Sequence, residues 1–307
     1  MEFNHISVLL NECIDTLNIK PDGIYIDGTA GGAGHSCEIA KRLTTGRLIS
    51  LDKDPDAIKT ATERLAPYKC ATVVDSDFSN FDSVLSSFGI EKVDGILLDL
   101  GVSSHQIDTA ERGFSFHADA PLDMRMSQQG RSAADFINEE SVETLARVIR
   151  DYSDEKFAFK IAKAIVATRE KAPIETTLQL AEIVASAVPA AARRDGHPAR
   201  RTFQAIRIAV NGELDSLSEF LSKAIDYVNK DGVIAIITFH SLEDRMVKHA
   251  FVDWNKGCTC PKDFPVCVCG KTAKAQFVTR KAITADDRQL NENIRARSAR
   301  LRAVYKL

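Results

Sequence analysis

A glycine-rich segment between a predicted strand and a predicted helix is the strongest sign of a ligand site in this sequence. Residues 27–35 read D-G-T-A-G-G-A-G-H, with four glycines in the seven positions 28–34. Glycine lets the backbone turn sharply and approach a ligand closely, and the first turn of the following helix offers unpaired N–H groups. A tight strand-to-helix turn without a ligand needs fewer glycines. We therefore interpret this segment as a ligand-binding loop.

The order of glycines and acids in this loop favours a cationic nucleoside over a dinucleotide. The dinucleotide fingerprint is G-x-G-x-x-G, followed about 20 residues later by an acidic residue. Here the glycines follow Asp27 as G-x-x-G-G-x-G. Because a carboxylate at Asp27 would repel a pyrophosphate and attract an ammonium group, S-adenosylmethionine fits the pattern better than NAD. An NAD-dependent oxidoreductase remains the alternative at this point.

Acidic residues also end or follow the next three predicted strands. Asp52 closes the second strand, Asp77 and Phe78 follow the third, and Asp99 ends the fourth. The Asp52 carboxylate can accept hydrogen bonds from both ribose hydroxyls, and Asp77 or Phe78 would border the adenine. A single aspartate would be read as a helix cap or a turn residue. Several at the carboxyl edge of a parallel sheet predict a cofactor site.

Continuously apolar runs and helix-like stretches alternate in the first third of the chain, which is typical of a parallel α/β sheet covered on both faces. The predicted strands are GIYID (23–27), GRLISLD (46–52), ATVVD (71–75) and VDGILLDL (93–100), with helices over 34–43 and 55–65 between the first three. A fifth strand, DGVIAIITF (231–239), comes more than 100 residues later, and QFVTR (276–280) and LRAVYKL (301–307) resemble the last two.

Helical spacing of apolar residues fills the interval between the fourth and fifth strands. Three stripes run over 142–152, 157–168 and 180–188, and a long amphipathic helix from Phe203 to Leu221 returns to the sheet. We therefore predict an α/β domain made of residues 1–105 and 201–307. Residues 106–200 are predicted to form an inserted helical domain that recognises the substrate.

The segment TFHSLEDR (238–245) follows the fifth strand at the same sheet edge. His240 could accept an amine proton, Ser241 could hold a base edge and Arg245 could neutralise a phosphate. The same segment is also explained as the start of a helix that is capped by Ser241 and has acidic residues in its first turn. We predict that both hold, with Ser241 and the acids structural and His240 catalytic.

Four of the seven cysteines form the pattern C-x-C-x6-C-x-C, at Cys258, Cys260, Cys267 and Cys269. Four thiols in twelve residues could close a tetrahedral zinc site, although pairs spaced by two residues are the commoner ligand pattern. The alternative is a reduced cysteine-rich hairpin around Pro261 and Pro265. We favour the hairpin and predict no metal.

Composition places the chain among ordinary globular proteins and excludes a disordered or fibrous one: 307 residues are 44% hydrophobic and 27% charged. No apolar run approaches the roughly 20 residues of a membrane-spanning helix, and the start of the chain lacks the features of a secretory signal. We therefore expect a cytoplasmic protein without a membrane partner, either a monomer or a homodimer.

Charge is distributed unevenly along the chain. Residues 1–100 carry 16 acidic and 9 basic side chains, whereas residues 271–307 carry 10 basic and 3 acidic ones. The stretch RRDGHPARR (193–201) adds four arginines against one aspartate. This asymmetry is expected when one part of a protein holds a small ligand and another contacts nucleic acid.

Several long motifs resemble those of the ribosomal small-subunit methyltransferase H family. They are HISVLLNE (5–12), YIDGTAGGAGHS (25–36), DGILLDLGVSS (94–104), ERGFSF (111–116), PLDMRM (121–126), HPARRTFQAIRIAVN (197–211) and TFHSLEDR (238–245). The resemblance covers nearly the whole chain. It implies a class I, Rossmann-like S-adenosylmethionine-dependent methyltransferase core with an inserted helical domain, acting on the exocyclic N4 of a cytidine in the decoding region of 16S rRNA in the small ribosomal subunit.

The resemblance also implies cofactor contacts, which are Ala33, Gly34, His35, Asp52, Phe78, Asp99 and Gln106. One departure concerns the target base. Many amino-group methyltransferases carry D/N-P-P-Y/F after the fourth strand, and its aromatic ring stacks on a flipped base. Here the tetrapeptide is Asp99-Leu100-Gly101-Val102. Asp99 is therefore assigned to the cofactor, the amine or both, and Phe114, Phe116 or Phe239 must supply the ring.

A non-catalytic ribosome-binding factor with a vestigial cofactor loop is the alternative from another class of protein. The complete set of carboxylates at the sheet edge favours the enzyme. We therefore predict an rRNA cytosine-N4 methyltransferase, with Asp99 and His240 as the catalytic residues.

Overall fold

The computed structural model describes residues 7–189, 197–261, 264–266 and 268–307. The chain divides into two compact units, one formed by the described residues up to Gly101 together with Asp215–Leu307, and the other by Val102–Leu214. No helix in the described ranges combines the length and the hydropathy that crossing a bilayer requires.

The first unit is built on a seven-stranded sheet. Its strands are β1 (Ile24–Asp27), β2 (Arg47–Asp52), β3 (Ala71–Asp75), β4 (Val93–Asp99), β5 (Val228–Thr238), β6 (Ala275–Phe277) and β7 (Arg300–Lys306). The order across the sheet is β3-β2-β1-β4-β5-β7-β6; the first five strands are parallel, and β7 runs antiparallel to both of its neighbours. Every predicted strand is present. From β1 to β3 the strands are added toward one edge of the sheet, and β4 and β5 are added toward the other edge. The strand order therefore switches between β1 and β4, which is where open α/β sheets bind ligands.

Thirteen α-helices are described. They are α1 (Leu10–Leu17), α2 (Gly34–Ala40), α3 (Pro55–Leu65), α4 (Phe81–Ser87), α5 (Ser104–Asp108), α6 (Ala133–Glu139), α7 (Val142–Ser153), α8 (Ala158–Arg169), α9 (Thr177–Ala187), α10 (Ala199–Asn211), α11 (Glu213–Lys223), α12 (Ser241–Asn255) and α13 (Asp287–Glu292). Asp54 caps α3 by accepting from the Asp56 N–H, and Pro55 occupies the first helical position, as the sequence predicts.

Apolar clusters cover both faces of the sheet. Tyr25 of β1 and Leu48 of β2 belong to the cluster that includes α1, α2 and α3, whereas the next residues along, Ile26 and Ile49, belong to the cluster that includes α4, α11 and α12. Successive side chains of a strand point to opposite faces, so strands buried on both sides must be apolar throughout. This is the physical reason why the strands were predictable from continuous apolar runs.

The second unit is helical and has its own core. α7 packs against α8 and α10, and α8 packs against α9. Its buried cluster includes Leu145, Ile161, Val184 and Ile206, which lie on the three stripes and the following helix predicted from the sequence. That this unit recognises the substrate stays a prediction.

The prediction of one long helix from Phe203 to Leu221 is wrong, because the structure contains two helices there, α10 and α11. Gly212 ends α10 in the left-handed conformation, with φ at 61°, and its N–H donates to the Ile208 carbonyl. Glycine is the residue that most readily ends a helix in this way. α10 contributes Phe203 and Ile206 to the helical core, so the compact unit extends to Leu214 rather than ending at the predicted residue 200.

Candidate active site

The glycine-rich loop between β1 and α2 is hydrogen-bonded to the strands on both sides of β1. The Ala30 N–H donates to the Leu51 carbonyl of β2 at 2.8 Å. On the other side, the Asp99 N–H at the end of β4 donates to Thr29 Oγ1 at 2.6 Å. The loop therefore lies at the carboxyl ends of β2 and β4, which is the position predicted for the cofactor site.

Asp52, at the end of β2, holds the loop in its conformation. One carboxylate oxygen accepts from the Gly31 N–H at 2.8 Å and the other from the Asp54 N–H at 2.9 Å. Gly31 has φ at 49°, a left-handed backbone that glycine adopts without strain. Burial raises the pKa of Asp52 to about 6, although these two hydrogen bonds act to lower it. Each carboxylate oxygen has two lone pairs, so Asp52 can still accept from ribose hydroxyls.

Asp27, at the end of β1, is fully buried and bonded within the protein. Its carboxylate accepts from Ser36 Oγ at 2.6 Å and from the Thr29 N–H at 3.2 Å, and burial raises its pKa to about 6. These contacts explain Asp27 without a ligand, so its role as the partner of a ligand ammonium stays a prediction. The structure uses this carboxylate to fasten the start of α2 to β1.

Asp99, at the end of β4, differs from the other two because one of its oxygens is buried without a partner. Oδ1 has no hydrogen bond to any described residue, and Oδ2 lies 3.8 Å from His35 Nδ1. Burial and the negative charges of Asp27 and Glu243 raise the pKa of Asp99 to about 8. A buried acceptor without a donor is costly. A cationic or hydrogen-bond-donating ligand would remove this cost, so the site fits the predicted methyl donor and an amine acceptor.

The predicted contacts Ala33, Gly34 and His35 are packed against the protein. Ala33 is fully buried with φ at 58°. A Cβ on Gly34 would overlap the Ser7 hydroxyl, and His35 Nε2 lies 3.1 Å from the Val8 carbonyl. These contacts explain the residue types without a ligand, so the role of the three residues in cofactor binding stays a prediction.

Phe78 and Asp77 follow β3 and have different roles. Asp77 binds Lys53 Nζ at 2.9 Å and accepts from the Ser79 N–H at 2.9 Å. Although burial acts to raise it, the pKa of Asp77 is held below its ordinary value by these contacts. The half-buried ring of Phe78 packs edge-on against Phe220 with centroids 5.9 Å apart. Asp77 is therefore structural, and Phe78 is the remaining candidate for the adenine contact.

Gln106 lies in the helical unit, where it completes the cap of α5. Ser103 Oγ accepts from the Gln106 N–H at 3.1 Å, and Gln106 Oε1 accepts from the Ser103 N–H at 2.9 Å. This reciprocal arrangement is the capping box, and the spacing S-x-x-Q is the signal in the sequence from which it could have been predicted. A cofactor contact by Gln106 stays a prediction.

The helix after β5 is capped by His240, and the prediction of Ser241 as the cap is wrong. His240 Nδ1 accepts from the Glu243 N–H at 3.4 Å, and Glu243 Oε2 accepts from the N–H groups of His240 and Phe239. His240 Nε2 lies 3.1 Å from Glu243 Oε1. Glu243 is three residues after His240, which is the spacing of a capping box. His240 thus has a structural role, and a catalytic role for it stays a prediction.

The three phenylalanines considered for base stacking lie in different surroundings. Phe116 stacks on His197 with centroids 4.6 Å apart and packs edge-on against Phe203, within the helical unit. Phe114, in the same unit, has the Arg112 guanidinium 5.8 Å from its ring centroid. Phe239 lies beside Gly101, just beyond the ends of β5 and β4, and is the one of the three in the unit that contains Asp99.

This sheet order, with a glycine-rich loop and carboxylates at its carboxyl edge, defines the α/β fold of class I S-adenosylmethionine-dependent methyltransferases. Residues 2–307 match the MraW methylase family, and the chain belongs to that family. It is similar to proteins named ribosomal RNA small subunit methyltransferase H. Identity is 56% to the protein of Lachnospira eligens, over 100% of this chain and 99% of the other. It is 52% to that of Clostridium botulinum, over 100% of both chains, and 52% to that of Brevibacillus brevis, over 100% and 99%.

Membership of this family decides between the alternatives left open by the sequence. The chain is a methyltransferase enzyme that uses S-adenosylmethionine. Neither an NAD-dependent oxidoreductase nor a non-catalytic binding factor is supported.

Proposed function

We propose that this enzyme transfers a methyl group from S-adenosylmethionine to the exocyclic N4 of a cytidine in the decoding region of 16S rRNA, in the cytoplasm. The observation that carries the proposal is the buried Asp99 oxygen without a partner among the described residues, at the end of β4 beside the glycine-rich loop. The names of the relatives support a small-subunit rRNA substrate.

Asp99 is the group best suited to activate the acceptor amine. The lone pair of the cytosine amine is delocalised into the ring, and an acceptor for an amine proton localises it on nitrogen. S-adenosylmethionine, when bound, supplies an electrophilic methyl group on a sulfonium. The pKa of Asp99 is about 8 in the protein without donor. The positive charge of a bound sulfonium would lower this pKa, so that the ionised carboxylate can take the proton that the amine must lose.

The remaining site residues position the reactants. We assign the ribose to Asp52 and the adenine to Phe78, and the loop residues Ala33, Gly34 and His35 together with Gln106 are the further proposed cofactor contacts. Holding a methyl group and an amine in line at near-attack distance contributes up to ~7–11 kcal/mol in well-oriented cases. His240, which follows the end of β5, is the second proposed catalytic residue and could also accept an amine proton.

Nitrogen rather than ring carbon is the expected acceptor atom. Methylation at C5 of cytosine requires a cysteine thiolate to add to C6 first. The segments after β4 and β5, DLGVSS and FHSLED, contain no cysteine. We expect N4-methylcytidine as the product in nucleosides from small-subunit rRNA treated with the enzyme and labelled donor. Cys37→Ser and Cys70→Ser should retain methyl transfer.

The same measurement in cells tests the biological substrate. 16S rRNA from cells lacking the gene should lose one N4-methylated cytidine, and the wild-type gene should restore it. Recovery of 5-methylcytidine, or covalent trapping of the enzyme on RNA that contains 5-fluorocytidine, would contradict an N4 acceptor. An unchanged set of modified nucleosides would contradict the rRNA substrate.

The helical unit is proposed to bind the RNA, and α10 carries two exposed arginines that test this. Arg200 and Arg201 lie in the first turn of α10, and Arg201 is 3.9 Å from Glu155. Replacing both with glutamine should weaken RNA binding and lower its salt dependence by about one unit of slope per lost phosphate contact. Donor affinity should not change. The matched control is Lys59→Gln with Lys69→Gln, two exposed residues of the acidic first third; equal slopes in both double variants would remove α10 from the interface.

A further inference from the structure

The described residues of the connection between α12 and β6 have no hydrophobic core of their own. None of its described residues between 256 and 274 is buried. Its apolar side chains are turned outward, with Val266 70% and Val268 74% exposed. Fixing these described residues in one conformation would cost conformational entropy, and their exposed apolar side chains contribute little burial to offset it. Small units without a core commonly rely on a disulfide or a metal ion instead.

Three thiols of this connection lie close together. The sulfur atoms of Cys258, Cys260 and Cys269 are all within 4.8 Å of one another, and those of Cys258 and Cys269 are 3.7 Å apart. In a tetrahedral zinc site with Zn–S bonds of about 2.3 Å, neighbouring sulfur atoms lie about 3.8 Å apart. A disulfide would bring two sulfur atoms to about 2.05 Å. The spacing therefore rules out a disulfide between Cys258 and Cys269 in this structure, and it suits both a thiol–thiol hydrogen bond and metal ligation.

Backbone N–H groups surround these sulfur atoms. The Thr259 N–H donates to Cys269 Sγ at 3.4 Å, the Cys260 N–H to Cys258 Sγ at 3.4 Å, and the Val268 N–H to Cys260 Sγ at 3.3 Å. Each of the three sulfur atoms thus accepts a hydrogen bond from the backbone. Donation to sulfur stabilises a thiolate more than a thiol and orients it, which is the usual outer shell of a metal-bound cysteine.

We propose that Cys258, Cys260 and Cys269 bind a structural Zn²⁺ ion that fastens the connection between α12 and β6. Thiolates are soft ligands that select zinc in closed tetrahedral sites. Cys267, the fourth cysteine of the sequence pattern, lies outside the described residues, and the site is proposed on the other three. Binding releases the thiol protons as the ion is taken up. This proposal replaces the sequence-based expectation of a reduced hairpin without metal, and it does not depend on the identity of the methylated nucleotide.

Metal analysis of the full-length protein tests the proposal. Protein purified under reducing conditions from zinc-supplemented cells should contain one zinc ion per chain and no iron. Cys258→Ser and Cys269→Ser should each lose most of the zinc, whereas Cys70→Ser, whose thiol lies outside the connection, should keep it. Cobalt added to zinc-free protein should give the thiolate-to-metal charge-transfer absorption of tetrahedral sulfur coordination, which reports on the wild-type chain even where a variant does not fold.

Limited proteolysis supplies an independent readout. Removal of zinc with a chelator should make the chain cleavable between residues 256 and 274, and added zinc should restore protection. The proposal is overturned if the wild-type protein contains no zinc, if the cysteine variants keep it, or if the thiols are found in a Cys258–Cys269 disulfide under the same conditions.

Discussion

Asp99→Asn should abolish most methyl transfer while leaving the protein folded. The variant keeps the size of the side chain but cannot take a proton from the acceptor amine. Loss of a general base typically lowers the rate by about 10²–10⁴-fold, and we expect kcat to fall in that range. Single-turnover transfer of labelled methyl groups to small-subunit rRNA measures the effect. A fully active Asp99→Asn enzyme would remove Asp99 from the chemistry.

The same substitution should change how stability depends on pH. The pKa of Asp99 is about 8 in the folded protein, against about 3.9 in an unfolded chain. The folded state therefore retains this proton while the unfolded state has lost it. The stability that the folded state gains from the neutral Asp99 carboxyl is complete below about pH 4. It is lost as the pH rises to about 8. Asparagine cannot titrate, so Asp99→Asn should gain stability relative to wild type between pH 5 and pH 8.

Urea denaturation at several pH values, without donor, measures this difference. Asp82→Asn is the matched control because the surroundings of Asp82 lower its pKa. Burial acts to raise it, but the hydrogen bond and charge of Lys223 together with backbone N–H donors outweigh burial. Its carboxylate is ionised throughout pH 5–8, so the stability difference between Asp82→Asn and wild type should stay constant there. A pH-independent difference for Asp99→Asn as well would show that Asp99 titrates normally.

Asp52→Ala should weaken donor binding by about 1.5–3 kcal/mol, the range for hydrogen bonds to a charged group. The variant loses the acceptor for the ribose hydroxyls. It also releases the N–H groups of Gly31 and Asp54 that the carboxylate holds, so the loop itself becomes less ordered. We therefore expect an effect near the upper end of the range, measured by calorimetry with S-adenosylmethionine.

Asp75→Ala supplies the control for Asp52. Asp75 ends β3 directly beside Asp52 in the sheet register, and its side chain is exposed and takes no part in the loop. Its removal changes the local charge equally, so donor affinity should stay close to wild type. If Asp52→Ala binds the donor normally and unfolds at the usual temperature, Asp52 does not contact the ribose.

The sequence determined by itself the features that depend on local pattern. Strands buried on both faces have to be apolar throughout, so β1 to β5 were recognisable as runs such as GIYID and VDGILLDL. The position of the glycine-rich loop followed from its place after β1, and the helical character of the second unit followed from stripes such as Val142–Tyr152. Each of these signals lies within a few residues of the structure it predicts.

Only the tertiary structure distinguished residues with the same local signal. Asp27 and Asp99 both end parallel strands beside the loop, yet Ser36 and Thr29 satisfy Asp27, while one oxygen of Asp99 is buried without a partner among the described residues. In the same way, the spacing of the cysteines in the sequence was ambiguous, and only the structure places the Cys258 and Cys269 sulfur atoms 3.7 Å apart. Burial and hydrogen-bond partners come from chain segments distant in sequence, and these decide how far the pKa of each carboxylate is raised and which thiols lie close together.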